Sequence, residues 1–127
     1  MPQPFFKSRD DEIRYLFRQA LDIASFPTTY NKLYEIVASL PATRYHIDQY
    51  RALRCYRKYL SGHPYHFRSP YKARLFDALY AKVDELRPLH KDKSLSNIIM
   101  IALYTPAPCV GVHPASIRHL LNHHKHD

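Results

Sequence analysis

Apolar residues recur at intervals of three and four along most of the chain, the spacing that gathers them on one side of an α-helix. Ile13, Leu16, Phe17, Ala20, Leu21 and Ala24 form such a face and predict a helix over 10–24. Ser8 stands before it as a cap with Asp11 three residues on, a box-like arrangement. Phe26-Pro27 ends it, because the residue before a proline is pushed out of the helical region. Leu33, Ile36, Val37 and Leu40 predict a second helix over 30–39, capped by Thr28 or Thr29 and stopped by Pro41. Asp48 caps a third, running to residue 60, where Gly62 and Pro64 form a stop. Ser69-Pro70 opens a fourth, to residue 87, with Phe76, Leu79, Val83 and Leu86 facing inward.

Pro88 and the polar run 90–93 break the chain again. Ser94 caps a fifth helix over 95–104, and a sixth starts at Pro114 and runs to 124 on Ile117, Leu120 and Leu121. Two short pieces, 43–47 and 109–112, read as extended. The fold class is therefore all-α, about six helices in one domain spanning 1–127. Only two glycines are present, too few for the positive-φ turns of a hairpin-rich β fold. A chain of 127 residues buries enough surface to fold without a disulfide or a metal.

The pattern aligns with itself at an offset of 65. Ile36 falls on Ile101, Pro41 on Pro106, Ala42 on Ala107 and Ile47 on Val112. The cap Asp48 falls on His113, and Ala52 and Tyr56 fall on Ile117 and Leu121. Leu53 falls on Arg118, an imperfect match. Two related, helix-turn-helix-like units of three helices, about 8–62 and 69–124, are the implied organisation. The strings Pro41-Ala42-Thr43-Arg44-Tyr45-His46-Ile47 and Pro106-Ala107-Pro108-Cys109-Val110-Gly111-Val112 resemble a recurring element of small uncharacterised proteins from gut anaerobes and their mobile elements. In those a helix, a Pro-Ala-Pro-basic-aromatic string and a second helix recur, often twice. The first copy here keeps Arg44 and Tyr45, and the second departs from it with Cys109 and Val110. The resemblance implies no activity.

Charge narrows the choice of partner. The net charge is +8, and the segment from Arg44 to Lys72 holds seven basic side chains against the single acid Asp48. Such a concentration favours an anionic partner: nucleic acid, a membrane surface or an acidic protein. No long apolar stretch predicts a signal peptide or a membrane span. Two cysteines far apart, Cys55 and Cys109, fit a cytoplasmic protein with reduced thiols.

On a helical wheel the third helix places Ala52, Leu53, Tyr56, Tyr59 and Leu60 on one arc and Tyr50, Arg51, Arg54, Arg57 and Lys58 on the other. A cationic arc backed by an apolar one can lie in a DNA major groove, its arginines on phosphates or guanine edges. The connection 40–47 is longer than the turn of a standard helix-turn-helix. The expected nucleic-acid contacts are Arg44, Tyr45, Tyr50, Arg51, Arg54, Arg57 and Lys58, with Arg118, His119 and Asn122 on the corresponding helix of the second unit. DNA is favoured over RNA, and an acidic protein partner is the alternative. In His63-Pro64-Tyr65-His66-Phe67-Arg68, aromatics alternate with bases, so the rings either stack on unpaired bases or pin the loop to the core.

Catalysis has little to stand on. Arg51 and Arg54 beside Cys55 would lower a thiol pKa, but no acid–base partner accompanies it. Asp10, Asp11 and Glu12 read as acids favoured by a helix start. His63 with His66, and His119 with His123, have two-ligand metal spacing, yet a zinc site usually needs three or four ligands and no matching carboxylate or thiol pair is nearby. His124 and His126 extend a histidine-rich end. The expectation is a non-enzymatic protein with no metal and no cofactor.

Overall fold

The structure is a computed structural model that describes residues 5–123. It contains α1 (Arg9–Ile23), α2 (Tyr30–Ser39), α3 (Gln49–Leu60), α4 (Pro70–Leu86), α5 (Leu95–Leu103) and α6 (Pro114–His123). The first five helices open on a side-chain cap. Ser8, Thr29, Asp48, Ser69 and Ser94 each accept the backbone N–H three residues on, at 3.1–3.4 Å. These caps satisfy N–H groups that have no partner inside the helix, so the expected starts hold to within one residue. The chain leaves α4 at Leu86 through a single 3-10 turn, Arg87–Leu89, centred on Pro88.

The packing is crossed. α1 lies on α2 and α4 on α5, while α2 packs on α6 and α3 on α5. α2 and α5 thus each rest both on the helix before them and on a helix distant in sequence, α6 and α3 respectively. This departs from a helix-turn-helix, in which the two helices pack on each other. The reason is the connection: 41–47 and 106–112 run to the centre of the molecule instead of turning tightly. There Ala42 and Ala107 form an antiparallel bridge, and the Tyr45 N–H donates to the Leu103 carbonyl at 2.9 Å.

One core joins all six helices. Its buried positions pair at the 65-residue offset: Leu33 with Ile98, Val37 with Ala102, Ala42 with Ala107, Tyr45 with Val110 and Ala52 with Ile117. α1 and α4 correspond two residues out of that register, Ile13 with Phe76, Leu16 with Leu79 and Ala20 with Val83. The α4–α5 connection is longer than the α1–α2 connection by those two residues. Leu21 and Leu60, expected on apolar faces, are 38% and 47% exposed, because each lies in its helix's last turn, beyond the cover of its neighbour.

Candidate nucleic-acid interface

α3 carries Tyr50, Arg54, Arg57 and Lys58 on exposed positions of one face. Past its end, Gly62 at φ +84° lets the chain reverse, and the His63 N–H donates to the Lys58 carbonyl at 3.2 Å. The segment 61–68 then folds back beside the helix. Tyr65 lies with its ring centroid 5.6 Å from Lys58 Nζ, and Phe67 stacks on Phe76 of α4 at 4.5 Å. Phe67 therefore pins the segment to the core, whereas Tyr65 is left 42% exposed.

Between helix and segment runs a cleft of about 420 Å³, lined by Tyr50, Arg54, Arg57, Lys58 and Tyr65 together with Leu53 and Ser61. None of its three cations is in an ion pair among the described residues. Asp48, the one acid near by in sequence, is occupied as the cap of α3.

The other expected contacts lie elsewhere. Arg51 turns toward α4, its guanidinium 5.6 Å from the centroid of Phe76. There it meets Cys55 and Lys72. Burial pushes the Cys55 thiol up, and the nearby Arg51 and Arg54 offset only part of that rise. The thiol activation expected from those arginines is thus reversed, because Cys55 is on the buried side of α3. The Lys72 ammonium is pulled below its ordinary range by burial first, then by repulsion from Arg51 and Arg9.

Arg44 is half-buried and turned inward. Its NH2 donates to the Phe6 carbonyl at 2.9 Å, and its guanidinium stands over the rings of Phe5 and Tyr104. Tyr45, an expected flanking contact, is instead a core residue at 3% exposure, with its backbone tied to Leu103. The expected extended piece is bent at Thr43 and Arg44, so strict alternation does not hold and the neighbours Arg44 and Tyr45 both turn inward. Arg118 lines a separate groove with Tyr30, Tyr34 and Asn122, where α6 packs on α2. The chain thus brings together Tyr50, Arg54, Arg57 and Lys58 and separates Arg44, Tyr45 and Arg118 from them.

A polar cluster lies buried between α1 and the 43–46 segment. Glu12, 1% exposed, accepts the Thr43 N–H at 2.6 Å and the Thr43 hydroxyl at 2.9 Å, and His46 Nε2 lies 2.6 Å from its Oε1. Burial alone would raise this carboxyl; hydrogen bonds from His46 and Thr43 outweigh it and hold the pKa below the ordinary value. An ionised carboxylate only accepts, so His46 is the donor. The sequence does hold a signal: Glu12 stands four residues before Leu16 and eight before Ala20, in register with the buried stripe. Its company with Asp10 and Asp11 disguised it as one more acid at a helix start. In the second half the corresponding positions are Leu75 and Gly111, also in contact.

No group of three or more histidine, cysteine, aspartate or glutamate side chains is placed to hold a metal among the described residues. His124 and His126, and the side chain of His123, lie outside the described part. No described helix is long and apolar enough to cross a membrane. Compared with protein-family models, with curated proteins and with solved structures, the chain shows no match in any of the three.

Proposed function

We propose that this protein binds nucleic acid, DNA in the first place, through the outward face of α3, and that it does so without catalysis. The observation that carries this is the grouping of Arg54, Arg57 and Lys58 on one face, without a carboxylate partner among the described residues, in a cleft edged by tyrosine rings. Three uncompensated cations in a row repel one another, and a polyanion relieves that repulsion while releasing counterions. Arg44, Tyr45 and Arg118 are outside this reading; it rests on Tyr50, Arg54, Arg57 and Lys58, with Arg51 at the margin.

A duplicated ancestry belongs to the same proposal. It is supported by the crossed packing of equivalent helices, the Ala42–Ala107 bridge and the paired buried positions. The halves would then have diverged in surface. On α6 the positions corresponding to Tyr50, Arg54 and Arg57 are Ala115, His119 and Asn122.

The test is gel retardation of duplex DNA, single-stranded DNA and RNA over a salt series. Retardation at low salt that fades as salt rises, and that is lost when Arg54, Arg57 and Lys58 are changed to glutamate, supports the reading. Failure to retard any nucleic acid at micromolar protein and low salt overturns it. A stoichiometric protein partner that survives nuclease treatment would then favour an acidic protein as the ligand of this face.

A further inference from the structure

We propose that the cleft between α3 and the 61–68 segment is a site for unpaired nucleotides of a single strand, with bases stacked on Tyr50 and Tyr65 and phosphates along Arg54, Arg57 and Lys58. This rests on α3 being the nucleic-acid face and adds which form of nucleic acid the face accepts.

The first argument is steric. A B-form major groove is about 12 Å wide, and one helix with its side chains is about 10–12 Å across. A bare helix fits and little more does. The cationic arc of α3 is not bare, since Tyr65 lies over Lys58 and Phe67 is anchored on Phe76 beside it. A helix carrying a second stretch of backbone along its charged side is too broad for that groove. A single strand needs no groove, and it can lie in the cleft that keeps the duplex out.

The second argument is the tyrosines. Tyr50 is 72% and Tyr65 42% exposed, although both are large rings that the core could have used. They sit toward opposite ends of the row of cations. Tyr50 and Lys58 are eight residues apart on α3, about 12 Å at the helical rise, and Tyr65 stands over Lys58. A strand at stacked rise, about 3.4 Å per nucleotide, covers that distance in three to four nucleotides, and a stretched one in fewer. Ring faces at both ends with guanidinium and ammonium groups between them follow the alternation of base and phosphate. An acidic peptide would satisfy the cations and leave both rings without a planar partner.

The experiment uses the whole chain and two probes: a fluorescent oligothymidylate carrying one 2-aminopurine, and a hairpin duplex of similar length. The single strand is expected to bind at least about tenfold more tightly at low salt, with quenching of the 2-aminopurine as it stacks. Tyr50→Ala and Tyr65→Ala should each weaken it about five- to a hundredfold, while Tyr50→Phe and Tyr65→Phe, which keep the ring, should not. Three phosphate contacts predict a log–log salt slope of about −2 for a single strand. Equal or tighter binding of the duplex overturns the proposal. So do alanine variants that bind as the parent does while glutamate at Arg54 and Lys58 abolishes binding; that result leaves the α3 reading standing. No binding of either probe removes both.

Discussion

Ala42 and Ala107 exchange two backbone hydrogen bonds, each N–H donating to the other's carbonyl at 3.0 Å. The exchange is reciprocal, and the two residues are 65 positions apart, the offset at which the chain aligns with itself. Under the proposed duplication these are equivalent positions, and reciprocal contact between equivalent positions is what a local two-fold axis produces. The α1–α2 contact has a counterpart in α4–α5 and the α2–α6 contact in α5–α3. Residues 9–60 and 70–123 are therefore interlocked about their connecting segments, not merely set side by side.

Interlocking makes each half depend on the other. Residues 5–62 expressed alone expose the faces of α2 and α3 that α6 and α5 cover in the whole chain. The fragment is expected to be largely unfolded at low concentration, or to gain helix only as it dimerises. Circular dichroism and sedimentation over a concentration series distinguish these. A monomeric, cooperatively folded fragment would contradict the crossed packing.

Glu12 predicts a dependence of stability on pH. Its folded pKa lies below the ordinary value of 4.5, so its contribution is fully present above that pH and is lost as the pH falls through the folded value. In Glu12→Gln the charge is gone at every pH, and the partners in Thr43 and His46 lose their carboxylate. Unfolding in urea near neutral pH should show a loss of about 2–4 kcal/mol. The gap between parent and variant should close as the medium is acidified below pH 4.5 and through the folded value. A gap that is constant with pH would mean that the carboxylate charge is not what stabilises the site.

How far the sequence could be read depends on the range of each interaction. Caps and proline stops act within four residues, so Ser8, Asp48, Ser69 and Ser94 could be placed as helix starts by inspection. The cationic face of α3 followed from the helical period alone, and Tyr50, Arg54, Arg57 and Lys58 do share a surface. Contacts across long separations left no local trace of their partners, even where, as at Glu12, the helical register marks the burial. Arg44 is drawn to Phe6, and Glu12 to Thr43 and His46, by the way α1 lies on the 41–47 segment. The inward direction of Tyr45 likewise follows from the bend at Thr43 and Arg44 and from the tie of its N–H to Leu103, neither of which the alternation of an extended piece foretells.

The two glycines should respond differently to the same substitution. Gly62 and Gly111 both have positive φ, at +84° and +76°. An added Cβ meets nothing at Gly62, whereas at Gly111 it would come within 2.5 Å of Leu75 Cδ2. Gly62→Ala therefore carries only the backbone penalty, about 1–2 kcal/mol. Gly111→Ala adds overpacking against a buried leucine of about 1–3 kcal/mol more. Thermal unfolding of the two variants side by side tests the difference, and equal losses would mean that Leu75 moves aside at no cost.

The basic residues should separate into two classes when binding and stability are measured on the same variants. Arg44 is held by the Phe6 carbonyl and lies over Phe5 and Tyr104, so Arg44→Ala removes an internal tie and should cost about 1–2 kcal/mol. Tyr45→Ala empties a core position and should cost more, about 3–5 kcal/mol. Neither side chain lines the α3 cleft, so both variants, assayed where they remain folded, should retain their affinity for nucleic acid. Arg54→Glu and Lys58→Glu alter exposed positions without ion-pair partners among the described residues and should leave the unfolding midpoint nearly unchanged. Each should still weaken binding strongly, because it replaces a phosphate contact with a repulsion. The contrast rests on geometry: α3 points its cations outward, and the 41–47 segment turns Arg44 and Tyr45 in. Loss of affinity in a folded Arg44→Ala protein would place that residue on the binding surface and extend the interface toward α1.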